Sequence, residues 1–304
     1  MTTATDANKE CAPWQEAPVP MTPEQLFFFD IRGWMVLPSV LSESEIEVMR
    51  AEAYAGAKDN YSGELQSLLD HPAITGILTE ILCSGENPIP YTYELPKESL
   101  PDDTYRFRCE SSAIFIRPAG WKKQGLADGG LPHVGYAPQQ AHVLRYQAAG
   151  KKIFSGLTRV IWELEEVKAG EGGTSFLSGS HKAHFNFGGP DPFHWNVSGS
   201  PWADSIKAAM EAYSCPAGSA VIFTESLVHA ANDWTNTEND RCAILNTYNS
   251  IYAQHSRLNL SHERIEAMPP KRRSLFRGVW QYESASNPDG YSTNRYYSID
   301  NRSI

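Results

Sequence analysis

The spacing of apolar residues changes character near residue 105. Before it, apolar positions recur at helical intervals. Thr22-Pro23-Glu24-Gln25 places a capping Thr, a Pro at the first helical position and a Gln three residues after the cap, the signature of a helix start. Leu26, Phe27 and Phe29 are its expected apolar contacts, and Arg32-Gly33 its end. Trp34-Met35-Val36-Leu37 reads as a short buried strand stopped by Pro38. Ser42-Glu43-Ser44-Glu45 is a second capping box. It predicts an amphipathic helix to about Tyr54, with Ile46 and Met49 on one face. A third helix is expected from Pro72 to Leu82, striped by Ile74, Ile77, Leu78 and Ile81.

After residue 105 the apolar runs become short, β-favouring and separated by turn residues. Tyr105–Arg117 is partly alternating, and Pro118-Ala119-Gly120 breaks it. Further strands are predicted at His142–Tyr146, Ile153–Val167, Ser175–Leu177, Ala220–Phe223, Val228–Ala230 and Cys242–Tyr252. Gly170-Glu171-Gly172-Gly173 is one of the intervening turns, and Trp202–Tyr213 is a helical insert. The pattern predicts a mainly β protein with flanking helices, a double-stranded β-helix of the jelly-roll or cupin-like kind. No internal repeat or long linker divides it. Residues 1–21 are expected to be a flexible N-terminal arm. Residues 22–304 are expected to form a single jelly-roll domain with a helical N-terminal part and a C-terminal extension.

Composition narrows the partners. The formal net charge of −10 argues against a nucleic-acid polymer but leaves a small anionic substrate open, since that needs only a few local cations. No apolar run approaches the ~20 residues of a bilayer span, and Met1–Asp6 does not resemble a secretory signal. The five cysteines are odd in number and none has CxxC spacing. Reduced thiols and a cytoplasmic location are therefore expected. Pro269-Pro270-Lys271-Arg272-Arg273 is the one basic cluster of the tail. It reads first as a solvated run and second as a cation group near a substrate phosphate or carboxylate.

The candidate chemistry lies between His133 and Arg241. Iron that activates dioxygen is commonly held by two imidazoles and one carboxylate on one face, with the other positions open. His133, in Leu131-Pro132-His133-Val134-Gly135-Tyr136, and His229, in Phe223-Thr224-Glu225-Ser226-Leu227-Val228-His229, are the candidate metal ligands. Arg241 follows on the next strand, where a planar guanidinium can pair both oxygens of an acid. None of the nine histidines is followed two residues later by Asp or Glu. Gly135 stands where that acid is expected. His142 is the alternative first ligand, and Asp128 is the acid nearest in sequence. Trp162, Trp195 and Trp234 read as core residues that alternatively line a pocket. Arg106, Arg108, Arg145 and Arg159 lie on strand candidates and are open to an inward role.

Three segments, taken as a set, resemble the phytanoyl-CoA dioxygenase family of iron(II)/2-oxoglutarate oxygenases. They are Phe29-Asp30-Ile31-Arg32-Gly33-Trp34-Met35-Val36-Leu37, then Gly172-Gly173-Thr174-Ser175-Phe176-Leu177-Ser178-Gly179-Ser180-His181-Lys182, and Gly218–Phe223 running on to His229 and Arg241. Ser178 stands where the family usually has Pro. The likeness spans roughly residues 22–255. It implies Fe(II) on His133 and His229, 2-oxoglutarate on Arg241, and O2 as oxidant, with His181 in a structural turn. A His-x-Gly form resembles the halogenases, in which chloride takes the position of the missing carboxylate. The resemblance thus implies chlorination of an unactivated C–H in a small metabolite, such as a nucleotide, with release of succinate and CO2. Hydroxylation by the same cofactors is the alternative. A catalytically inactive, metabolite-binding relative is the reading from another class.

Overall fold

The computed structural model describes residues 14, 16–83, 104–124, 130–134, 145–149, 152–183, 201–251, 253–255, 258 and 260–278. Helix α1 (Pro23–Arg32) begins at a reciprocal cap: Gln25 N–H donates to Thr22 Oγ1 at 3.1 Å, and Thr22 N–H to Gln25 Oε1 at 2.8 Å. It ends at Gly33 (φ 81°), whose N–H reaches Phe29 O at 2.7 Å. Of its expected apolar contacts only Phe29 is fully buried; Phe27 is 60% exposed, because it lies two positions from Phe29 and so on another side of the helix. Strand β1 (Trp34–Leu37) follows, then α2 (Glu43–Tyr54), capped by Ser42 and Glu45 in the same reciprocal way. After a 3-10 turn at Glu64–Leu69 comes α3 (Pro72–Cys83).

The remaining strands are β2 (Phe107–Arg117), β3 (Tyr146–Ala149), β4 (Lys152–Ser155), β5 (Thr158–Glu163), β6 (Thr174–Phe176), β7 (Glu211–Ala212), β8 (Ser219–Thr224), β9 (His229–Ala231) and β10 (Arg241–Ser250). The expected strand over 153–167 is interrupted, because Gly156 and Leu157 turn between β4 and β5. The helical insert is shorter than expected: α4 covers Ala203–Ala209 and gives way to β7. Residues 142–144 of the strand expected at His142–Tyr146 lie outside the described residues, and β3 begins at Tyr146.

A five-stranded antiparallel sheet, ordered β1-β8-β5-β10-β2, faces a smaller one ordered β7-β6-β9. Successive side chains of a strand point to opposite faces. On β5, Val160 and Trp162 enter the cluster built with α2 and α3, while Ile161 enters a second cluster between the sheets with Phe176, Tyr213, Val221, Phe223, Leu227, Trp234 and Ala243. This is the mainly β, helix-flanked jelly roll that the pattern predicts. None of the four described cysteines, Cys83, Cys109, Cys215 and Cys242, forms a disulfide. Among the described residues no helix is long and apolar enough to cross a membrane.

The described part of the expected arm contacts the helical layer. The Trp14 indole donates to Ser67 O at 3.0 Å and packs edge-on against His71, and Val19 N–H donates to Pro72 O at 3.0 Å. Gly76 makes this docking possible, since a Cβ there would lie 2.0 Å from Val19 O. Gly→Ala inside a helix ordinarily stabilises by about 1 kcal/mol. Here the obstacle is backbone, so Gly76→Ala is expected to forgo that gain and lift the arm. Limited proteolysis read by mass spectrometry should show faster cleavage before residue 22. Unchanged cleavage together with a more stable fold would contradict this packing.

Candidate active site

Strand β9 brings the two candidate ligands together. His133 and His229 oppose each other in an isolated antiparallel bridge. His133 N–H donates to His229 O at 3.0 Å, and His229 N–H to His133 O at 2.8 Å. Directly opposed residues of an antiparallel pair project to one face, and the ring centroids are 4.3 Å apart. Each ring is oriented by its own chain. Nδ1 of His133 lies 2.7 Å from Leu131 O, and Nδ1 of His229 lies 2.8 Å from Leu227 O. A carbonyl only accepts, so Nδ1 is the donor in both rings. Metal-binding histidines are commonly held this way. Burial depresses the His229 pKa to about 4, against the pull of Glu225, so its ring is neutral at pH 7.

The turn between β8 and β9 supplies a buried acid. Glu225 is 4% exposed and its N–H donates to Leu157 O at 2.8 Å, while Leu227 N–H closes the turn onto Thr224 O at 3.0 Å. Its Oε1 lies 3.8 Å from His229 Nε2. Arg159 holds the same carboxylate with two donors: Nε to Oε2, and Nη2 to Oε1 at 3.1 Å. Burial would raise the Glu225 pKa, but Arg159, His229 and His133 together bring it down to about 2, so the group is ionised. The inward role left open for the strand arginines thus falls to Arg159. Glu225 was not singled out in the sequence. The available signal was an acid amid Val221-Ile222-Phe223 and Leu227-Val228, where a buried charge requires a partner.

Arg241 faces the same interior from the start of β10. Its Nε bridges both Glu163 oxygens, at 3.2 and 3.1 Å, and Nη2 bonds Glu163 and, at 3.1 Å, the Tyr213 hydroxyl. Tyr213 in turn donates to Glu163. Burial opposes the charge on Arg241, and the Glu163 carboxylate more than offsets it, so its pKa is raised. Arg241 is therefore one member of a buried Glu163–Arg241–Tyr213 unit and not a lone cation. Glu163 and Arg159 are four residues apart on one face of β5, about 13 Å along the strand. The two charged units consequently occupy opposite ends of the interior.

Gly135, Asp128, His142 and Trp195 lie outside the described residues. Trp162 packs in the helix-side core, and Trp234 is buried between the sheets with its indole donating to Asn239 O at 2.7 Å. His181 sits in a 3-10 turn with Nε2 3.1 Å from Asp30 O. The basic tail cluster is not a solvated run at its centre: Arg272 is fully buried and bonded to Asp70 and Gln66. Among the described residues, no three His, Cys, Asp or Glu side chains already converge as a metal cage. The donor set nevertheless suits a cation: two imidazoles, each anchored through Nδ1, stand beside the Glu225 carboxylate.

No family model matches the chain. No curated protein matches it. Solved structures do. HygX from Streptomyces hygroscopicus, in its apo form, superposes with a TM-score of 0.56 at 16% identity, over 78% of this chain and 89% of that one. Its complex with nickel, 2-oxoglutarate and hygromycin B gives 0.55 at 16% identity, over 77% and 89%. The non-haem α-ketoglutarate-dependent carbocyclase SnoK from nogalamycin biosynthesis gives 0.51 at 18% identity, over 84% and 96%. At these identities the likeness establishes the fold, which is the jelly roll shared with these 2-oxoglutarate-binding proteins.

Proposed function

We propose that this protein is an iron(II)/2-oxoglutarate-dependent oxygenase acting on an unactivated C–H of a small polar metabolite. The observation that carries the reading is the paired imidazoles, opposed across one bridge with ring centroids 4.3 Å apart and each with Nδ1 committed to a carbonyl. His133 and His229 would hold the iron, which when bound supplies the activation of O2. Arg241 and the Tyr213 hydroxyl would receive the far carboxylate of 2-oxoglutarate. Because Glu163 already neutralises Arg241, recognition there rests on directed hydrogen bonds more than on net charge. The solved relatives bind 2-oxoglutarate and a metal in the same fold. The resemblance to the phytanoyl-CoA dioxygenase family agrees with this assignment.

A second reading, chlorination with bound chloride, is favoured by Gly135, which leaves no side chain at the position two residues after His133. Both readings are tested by anaerobic reconstitution with Fe(II) and 2-oxoglutarate, with and without chloride, followed by oxygen and a metabolite extract. Iron-dependent succinate formation is the expected result. A product 16 mass units heavier indicates hydroxylation (one oxygen atom, about 16), and a chlorine isotope pair indicates halogenation. No succinate and no metal uptake would overturn the assignment and favour a binding protein without turnover.

A further inference from the structure

We propose that Glu225 supplies the anionic metal ligand that Gly135 cannot, so that the site is His133, His229 and Glu225, with Arg159 as the positioning residue of the carboxylate. This inference rests on the iron reading above and changes what it predicts. The acid arrives from the turn four residues before the second histidine instead of two residues after the first. Two neighbouring ligands of one metal ion, each about 2.1 Å from it, lie about 3 Å apart. Oε1 of Glu225 lies 3.8 Å from Nε2 of His229, so it is less than about 1 Å from such a spacing.

The hydrogen bonds show how that distance can close. Oε2 accepts from Arg159 Nε, and Oε1 accepts from Nη2 at 3.1 Å. Oε1 can turn to a cation while Oε2 stays on the guanidinium, which is the usual hydrogen-bonded state of a ligating carboxylate. The backbone is fixed on both sides, by Glu225 N–H on Leu157 O and Leu227 N–H on Thr224 O, so the side chain has a defined origin. Arg159 is placed by strand register, opposite Phe223 on β8 and Thr247 on β10. A site completed by Glu225 has no vacant corner for a halide, so oxygen transfer is the expected outcome in the native protein.

The competing account is that Glu225 and Arg159 only close the turn. The two accounts differ in how the single variants rank. The apo-protein, Glu225→Gln, Arg159→Met, the double variant Glu225→Gln/Arg159→Met and His229→Ala are titrated anaerobically with Fe(II) and with Co(II) as a spectroscopic stand-in. Circular dichroism checks each fold. Glu225→Gln is expected to weaken binding by more than about 100-fold and to change the cobalt bands. Arg159→Met should cost only about tenfold and keep the native band pattern. The double variant leaves no buried unpaired charge and should bind as poorly as Glu225→Gln. If Glu225→Gln is misfolded, the double variant decides: native-like affinity and bands would overturn the proposal. Equal losses in the two single variants, or a native cobalt spectrum in Glu225→Gln, would also overturn it. If His229→Ala loses metal while Glu225→Gln retains it, only the Glu225 assignment falls. If His229→Ala binds as the native protein does, the iron reading itself falls.

Discussion

His229→Ala is expected to remove bound iron and 2-oxoglutarate turnover together, each by more than about 100-fold, since loss of a supporting group alone typically costs 10–100-fold in affinity or activity. The fold should survive. The strand pairing of His229 with His133 uses main-chain groups that Ala also possesses, and β9 remains paired with β6. The deleted ring gives up the Nδ1 bond to Leu227 O and its contact with Phe223. Metal analysis of the purified protein and a succinate assay check the result. A variant that keeps stoichiometric iron would show that the paired rings are only a packing feature.

Arg272→Met is expected to destabilise the fold by about 3–5 kcal/mol, the usual consequence of leaving one member of a buried ion pair alone. Arg272 Nε donates to Asp70 Oδ1 and Nη1 to Gln66 Oε1, both at 2.8 Å, and Asp70 also accepts from the Tyr105 hydroxyl at 3.2 Å. Burial raises the Asp70 pKa, and Arg272 is the group that opposes that rise. Without Arg272 the carboxyl must take up a proton or carry an uncompensated charge. Asp70→Asn/Arg272→Met should recover more than half of the loss, because no orphaned charge remains. Denaturant unfolding of the three proteins measures this. A single variant as stable as the parent would place the tail cluster on the surface, where sequence alone put it.

The helices were legible in sequence because their determinants are local. Thr22 with Gln25, Ser42 with Glu45, and Gly33 act within one turn of chain, and the helices begin where those residues say. The strand pattern gave the mainly β class. It gave the meeting of His133 with His229 only through the resemblance, since the two are brought together by strand pairing across the fold. What was not legible depends on register. Glu225 meets Arg159, and Arg241 meets Glu163, across strands separated by 66 and 78 residues. An acid in a strand or turn ordinarily reads as solvent-facing. Arg272 was misread for the same reason: its partners are 202 and 206 residues away. The third-ligand question turned on an adjacent pattern, His-x-Gly, whereas the acid we propose comes from the turn that leads into the second histidine's strand.

The reciprocal main-chain bonds between positions 133 and 229 would tie occupancy of the proposed iron site to the integrity of one sheet margin. Two such bonds contribute roughly 1 kcal/mol each, whereas an ion present at 100 times its dissociation constant adds about 2.7 kcal/mol to whichever conformation holds it. An ion held by both rings would therefore outweigh the bonds beside it. It would act as a clasp between the 130–134 segment and its neighbour, and iron supply would govern how firmly that margin stays shut.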